Sequence, residues 1–248
     1  SGNETGGGEL PLHLLLRHES CSIGMLQTML AADQESVKVK TTVLKDKSGN
    51  ETGGGELPLH LLLRHESCSI GMLQTMLAAN QESVKVKTTV LKDQSGNVTS
   101  GGELPLHLLL RHEACSIGML QTMLAADQES VKVRTMVLKN EYGDELGGGL
   151  LPLHVLLQRD IFSLVIMNTL ISAWPQCVRE KTTVLKNEHG DETGGGELPL
   201  HLLLRNTNVS LPAIKALLDV WPESIQEKTT VLVNEFGDES SGGALPCA

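Results

Sequence analysis

The sequence is poor in aromatic residues. Phe, Tyr and Trp make up 2% of its 248 residues, whereas 40% of the chain is hydrophobic. A core with so few rings must be built from Leu, Val, Ile and Met. This favours many short, regularly packed helices over one large globular interior, although the hydrophobic fraction itself is normal for a folded protein.

Positive charge is also scarce. The chain has 20 Lys and Arg against 30 Asp and Glu, which gives a formal net charge of −10. Nucleic-acid affinity rests mainly on clustered Lys and Arg, so we expect no nucleic-acid partner.

No apolar run in the sequence approaches the roughly 18 to 20 residues that a membrane-spanning helix needs. We therefore expect no membrane partner for this segment.

Cysteines and targeting signals are few. Five cysteines, an odd number, do not suggest a disulfide framework in a chain of this size and favour a reducing compartment. The chain begins at Ser1, without a signal-like segment and in the middle of a pattern already under way. We therefore expect a fragment of a longer, cytoplasmic protein.

What the sequence does contain is a repeat. The triplet PLH starts at Pro11 and returns at a constant step of 47 residues. Repeats 1 and 2 differ at only two positions, Asp33 against Asn80 and Lys47 against Gln94. The sequence thus predicts one array over residues 1–248, which divides as 1–47, 48–94, 95–141, 142–188, 189–235 and, as the start of a sixth repeat, 236–248.

Each repeat carries signals for two helices and a hairpin. Helix A begins at the proline of PLHLLLR, where a first turn tolerates proline and leucines follow at helical spacing. Helix B begins after a serine that can accept a hydrogen bond from first-turn amides. A β-leaning segment from Val37 to Leu44 and a polar turn around a central glycine then predict a hairpin or an extended loop, which projects as a finger. The capping serines are Ser22, Ser69, Ser116, Ser163 and Ser210.

Two short helices cannot bury their leucines alone, whereas stacked neighbours can. The predicted fold is therefore mainly α, a solenoid of helix-turn-helix pairs from which β-hairpin fingers project.

The repeat resembles the ankyrin repeat, in which two helices are followed by a β-hairpin finger and the signature TPLHxA opens the first helix. The matching segments are LPLHLLL at residues 10–16 and LPLHVLL at 151–157. The segment AIKALLDVWPESI from Ala213 is similar to the family's second helix and the residues that follow it. The period of 47 exceeds the usual length of about 33, and Leu10 and its copies replace the signature threonine. The resemblance implies an ankyrin-like array that binds a partner.

Two columns of potential metal ligands recur with the repeat. Stacked helices lie about 8–10 Å apart, whereas a zinc ligand must lie within about 2.1 Å of the ion, so we expect structural histidines and no metal site. The same spacing is too wide for disulfides between neighbouring cysteines, which we expect to be free thiols. The histidines are His13, His60, His107, His154 and His201, and the cysteines are Cys21, Cys68 and Cys115, with Cys177 and Cys247 elsewhere in the pattern.

The glycine-rich GNETGGGE segment lacks the Lys and Ser/Thr of a phosphate-binding loop. We expect no cofactor, and no cluster of polar residues in the sequence predicts catalysis.

The first position of each repeat lies at the predicted fingertip. It is occupied by Ser1, Ser48, Ser95, Tyr142, His189 and Phe236. Aromatic side chains are enriched in protein interfaces, so Tyr142, His189 and Phe236 are the candidate partner-binding residues. The alternative is that each ring only packs on the neighbouring finger.

The leading hypothesis is a non-catalytic scaffold that binds an unknown protein partner. The competing hypothesis is a structural spacer or a self-associating fibre, in which every copy of the repeat makes the same contact.

Overall fold

A computed structural model describes residues 8–246 of the chain, so Ser1 and Cys247 lie outside the described residues. The described part contains ten short α-helices and ten short β-strands, which recur every 47 residues as a helix pair followed by a two-stranded antiparallel hairpin. The chain is therefore a repeat protein of helix pairs and hairpins, as its sequence predicts.

The first helix of each repeat begins at the proline of PLH. Its leucine N-cap has no side-chain acceptor, and the histidine two positions after the proline supplies one instead. In repeat 1, Nδ1 of His13 accepts a hydrogen bond of 2.9 Å from the amide of Leu10. These helices are α1 (Pro11–Leu15), α3 (Pro58–Leu62), α5 (Pro105–Arg111), α7 (Pro152–Leu157) and α9 (Pro199–Arg205).

The second helix of each repeat has ten residues and follows the predicted serine. Its buried side chains recur at helical spacing, for example Leu26 and Leu30 in repeat 1. These helices are α2 (Ile23–Ala32), α4 (Ile70–Ala79), α6 (Ile117–Ala126), α8 (Leu164–Ala173) and α10 (Leu211–Val220).

A 3-10 helix follows each second helix, and here the β-leaning prediction for Val37 is wrong. Val37 lies inside the 3-10 helix and is buried, with 3% of its surface exposed. The side chain of Asp33 accepts a hydrogen bond from the amide of Glu35 and so caps this turn. The five 3-10 helices are Gln34–Lys38, Gln81–Lys85, Gln128–Lys132, Pro175–Arg179 and Pro222–Gln226.

The hairpins lie further along each repeat and are shorter than the predicted extended segment. Each pairs a two-residue strand with a three-residue strand, and each register contains an irregularity. The pairs are β1 (Leu44–Lys45) with β2 (Glu51–Gly53), β3 (Leu91–Lys92) with β4 (Val98–Ser100), β5 (Leu138–Lys139) with β6 (Glu145–Gly147), β7 (Leu185–Lys186) with β8 (Glu192–Gly194), and β9 (Leu232–Val233) with β10 (Glu239–Ser241).

The chain divides after Ser130 into two compact units. In unit 1, which ends at Ser130, α4 contacts both α2 and α6, and Ile23 of α2 approaches Gly71 of α4. In unit 2, which begins at Val131, α7 contacts α9 and α8 contacts α10. The single array over residues 1–248, with its six predicted segments, stays a prediction.

Repeats 1 and 2 show what buries the helices. Leu14 is 56% exposed, whereas the corresponding Leu61 is 7% exposed. Met25 is 48% exposed, whereas the corresponding Met72 is 2% exposed. Since the two repeats are almost identical in sequence, the difference comes from the neighbour that covers repeat 2 and not from the residues themselves.

Candidate interaction surface

The three candidate residues Tyr142, His189 and Phe236 occupy the tips of the three hairpins in unit 2. Tyr142 is 65% exposed and Phe236 is 80% exposed, and His189 is exposed as well. Most of the surface of Tyr142 and Phe236 therefore faces solvent and is not covered by a neighbouring finger.

Each tip is a tight turn held by an asparagine. In the hairpin of β5 and β6, Oδ1 of Asn140 accepts hydrogen bonds of 2.9 Å from the amides of Tyr142 and Asp144. The amide of Gly143 donates to the carbonyl of Asn140 at 3.1 Å. Asn187 makes the same pair of side-chain contacts under His189, and Asn234 makes it under Phe236. The backbone of all three tips is thus fixed in the same way.

Neighbouring hairpins of unit 2 are joined by hydrogen bonds from backbone to carboxylate. The amide of Glu188 donates to Oδ1 of Asp144 at 2.9 Å, and the amide of Glu235 donates to Oδ1 of Asp191 at 2.7 Å. Closer to the helices, the amide of Lys186 donates to Oε2 of Glu145 at 2.9 Å. Because the same bonds repeat, the three tips form one row, which we call the tip row (Tyr142, His189 and Phe236).

Carboxylates surround the tip row. A hydrogen bond from the Asn140 side chain lowers the pKa of Asp144, and one from Asn187 lowers the pKa of Asp191, so both are ionised at neutral pH. The neighbouring Glu141 carboxylate raises the pKa of the Tyr142 phenol, so the hydroxyl is protonated at neutral pH. The row therefore combines exposed rings with fixed negative charge.

The hairpins of unit 1 have the same geometry and different tips. Ser48 and Ser95 replace the rings. The amide of Gln94 donates to Oδ1 of Asn50 at 2.9 Å, so these two hairpins are joined as those of unit 2 are. The contrast between the two sets of tips thus lies in the side chains and not in the fold.

The histidine column is buried and bonded to backbone. His60 is fully buried, its Nδ1 accepts from the amide of Leu57 at 3.2 Å, and its Nε2 lies 2.9 Å from the carbonyl oxygen of Val86. His13 and His154 make the same pair of contacts. Nδ1 of His107 and of His201 likewise accepts from its own N-cap amide. Among the described residues, no three His, Cys, Asp or Glu side chains are grouped to hold a metal ion.

Four of the five predicted capping serines accept the expected hydrogen bond. Oγ of Ser22, Ser69, Ser116 or Ser210 accepts from the amide three residues later. The prediction for Ser163 is wrong, because its side chain makes no capping bond. The backbone of Ser163 also differs, with a ψ of 125° against 147–160° in the other four.

The cysteines described by the structure form no disulfide bonds. Their surroundings favour a role in packing over a role as a reactive nucleophile. Burial raises the pKa of Cys68 and of Cys177 to about 12, and it also raises the pKa of Cys21. A thiol that stays protonated at neutral pH is a poor nucleophile.

Two clefts in unit 1 form a second candidate surface. Arg64 and Arg111 line them together with leucines of α3 and α5 and glutamates of the loops that join the two helices of a repeat. Arg64 pairs with Glu56 at 3.1 Å and Arg111 pairs with Glu103 at 3.0 Å. Each cleft is lined by three glutamates and two arginines, so its charges are of mixed sign and it offers less chemical selectivity than the tip row.

The sequence predicted the rings of the tip row but not the carboxylates beside them. Glu141, Glu188 and Glu235 each precede a tip ring and are exposed. A signal was available, because the turns NEYGDE, NEHGDE and NEFGDE are more acidic than DKSGNE and DQSGNV of the earlier repeats.

No known protein family has a model that matches this chain, and no curated protein matches its sequence. Within the part of the chain that the structure describes, no helix is long and apolar enough to cross a membrane.

Proposed function

We propose that this chain is a non-catalytic protein-binding scaffold built of ankyrin-like repeats. The observation that carries the proposal is the tip row, in which three exposed residues lie on hairpins joined in register by repeated hydrogen bonds. Exposed aromatic residues on a rigid support suit protein contact. The LPLH words and the order of helix, helix and hairpin support the ankyrin-like assignment, and a cytoplasmic location belongs to the same proposal.

The scaffold proposal is tested by capture of a partner from native extract. The full chain is compared with the triple variant Tyr142→Ala, His189→Ala and Phe236→Ala. We expect at least one protein to bind the original chain and to be lost from the variant. Capture that is identical with both chains would exclude the tip row as the binding surface.

A second candidate function is self-association into a fibre or spacer. Repeats 1 and 2 favour it, since their nearly identical surfaces can make the same contact between copies of the chain. Light scattering against protein concentration tests this, and a mass that stays monomeric at every concentration excludes the fibre.

A further inference from the structure

The hairpins of the two units differ sharply in charge. Residues 138–147, 185–194 and 232–241 contain nine carboxylates and two lysines. Residues 44–53 and 91–100 contain three carboxylates and three lysines. Seven of the chain's ten net negative charges are thus found on the three hairpins that also carry the tip row, whereas the serine-tipped hairpins are neutral.

Two groups among the nine carboxylates of the unit 2 hairpins differ in what they contact. Asp144 and Asp191 hold the hairpins together, since each accepts the amide of the next hairpin through Oδ1 and its own asparagine side chain through Oδ2. Glu141, Glu188 and Glu235 form the second group, which we call the tip glutamates; each is exposed and directly precedes a residue of the tip row in the sequence. Oε1 of Glu188 lies 3.5 Å from Nε2 of His189. The second group is therefore placed to meet a ligand that reaches the row.

We infer that the tip row and the tip glutamates together bind a basic segment of another protein, an extended stretch that carries Lys or Arg side chains. This inference rests on the proposed scaffold function and names its partner. A Lys or Arg head group can lie over the face of a Tyr or Phe ring while it pairs with the adjacent carboxylate, and the row offers both contacts at each aromatic tip. Anionic ligands are repelled by the same carboxylates.

The period of the fold sets the spacing of the partner's cations. Neighbouring repeats whose helices pack side by side are about 8–10 Å apart. A polyproline II segment rises about 3.1 Å per residue and returns to the same face every third residue, a step of about 9 Å. Basic residues at every third position would therefore meet successive tips of the row.

The experiment measures the binding of labelled peptides to the full chain by fluorescence anisotropy at about 20 and 200 mM NaCl. One peptide has four lysines at every third position between Gly and Ser. A second has the same composition with its four lysines adjacent, and a third has glutamate in place of lysine. We expect the spaced-lysine peptide to bind at least fivefold more tightly than the adjacent-lysine peptide, binding to weaken at the higher salt concentration, and the glutamate peptide not to bind.

Three triple variants locate the binding site. The first replaces Tyr142, His189 and Phe236 by the serine found naturally at Ser48 and Ser95, and the second replaces the tip glutamates by Gln. The matched control also removes three charges by Glu→Gln, at three exposed glutamates of unit 1 that lie in 3-10 helices, Glu35, Glu82 and Glu129. We expect each tip variant to bind the spaced peptide at least fivefold more weakly and the control to bind within twofold of the original. Unchanged circular dichroism melting shows that each variant is folded.

The outcomes separate this inference from the proposed function. Equal weakening by the tip-glutamate variant and by the control means attraction to the overall charge and overturns the inference. So does a spaced-lysine peptide that binds no better than its adjacent-lysine counterpart. If the chain still captures a protein from extract through its tip row in that case, the scaffold function stands and only the basic partner is lost. If the tip row captures nothing, the scaffold function falls as well.

Discussion

At the scale of single residues, the buried histidines tie stability to pH. Burial lowers the pKa of His60 and of His154 from 6.5 to about 4. Nδ1 of His60 accepts the Leu57 amide, so an added proton would face another donor and break this contact. The unfolded chain therefore binds a proton more readily than the folded chain does.

We predict that stability falls as the pH is lowered from about 6.5 to about 4. Because the folded pKa is depressed, the contribution is fully present above pH 6.5 and is lost towards pH 4, at most roughly 3 kcal/mol for each histidine. Urea unfolding of the full chain across this range measures the loss. The variant His60→Gln should show a shallower dependence on pH, and a slope equal to that of the original chain would refute the assignment to His60.

The serines that precede the second helices allow a comparison within one chain between a serine that caps its helix and one that does not. Oγ of Ser69 accepts from the amide of Met72 at 3.3 Å, whereas Ser163 makes no capping bond. We expect Ser69→Ala to lower the free energy of unfolding by about 1 kcal/mol and Ser163→Ala to change it by less than about 0.5 kcal/mol. Urea denaturation of both variants decides this, and equal losses would contradict it.

At the scale of elements, two glycines of the first hairpin have positive φ for different reasons. Gly54, with φ 88°, follows β2, and a Cβ there would lie 1.9 Å from the carbonyl oxygen of Thr42. Gly49, with φ 87°, lies at the turn, and a Cβ there would meet no atom within 4 Å among the described residues. Backbone cannot move aside as a side chain can, so Gly54 is required for space and Gly49 only for its dihedral angle.

We predict that Gly54→Ala lowers the free energy of unfolding by about 2–4 kcal/mol, because strain at positive φ adds to the clash with backbone. Gly49→Ala should cost about 1 kcal/mol from the dihedral angle alone. Chemical denaturation of the two variants makes the comparison. A Gly54→Ala variant no less stable than Gly49→Ala would show that the backbone of residue 42 is not where the structure has it.

Some of the secondary-structure elements could be predicted from the sequence and others could not. Helix pairs were predictable because Pro11 and Ser22 mark helix starts and the leucines follow helical spacing. The 3-10 helix was missed because Val37 is β-leaning as a residue, whereas burial against the helices decides its conformation. Pro175 and Pro222 begin the same 3-10 turn in later repeats and were an unused signal.

The candidate site was predictable in part for a similar reason. The repeat register alone predicts which residues lie at the hairpin tips, so the sequence was sufficient to predict that Tyr142 and Phe236 lie there. The bond between the Glu188 amide and Asp144 joins residues 44 positions apart, and only the stacking of the hairpins brings them together. The sequence therefore places each tip glutamate next to its ring, whereas the joining of the three tips into one row depends on the fold.

At the scale of the whole molecule, the free energy of unfolding is a sum of the stabilities of the single repeats and of the interfaces between neighbouring repeats. Helices α1 and α3 are in contact, and so are α3 and α5. Each repeat of unit 1 therefore supplies a surface that the next one covers. The near-identity of repeats 1 and 2 turns this into a controlled comparison, because the same side chain occurs once with a cover and once without it.

We predict that Leu61→Ala lowers the free energy of unfolding by about 2–5 kcal/mol, the usual cost of a cavity at a buried leucine. Leu14→Ala, in the same local sequence but 56% exposed, should cost less than about 1 kcal/mol. Urea unfolding of the two variants, repeated with Met72→Ala and Met25→Ala, gives the test. Equal losses within each pair would mean that a repeat stabilises its own leucines, and stacking would then not be what holds the chain together.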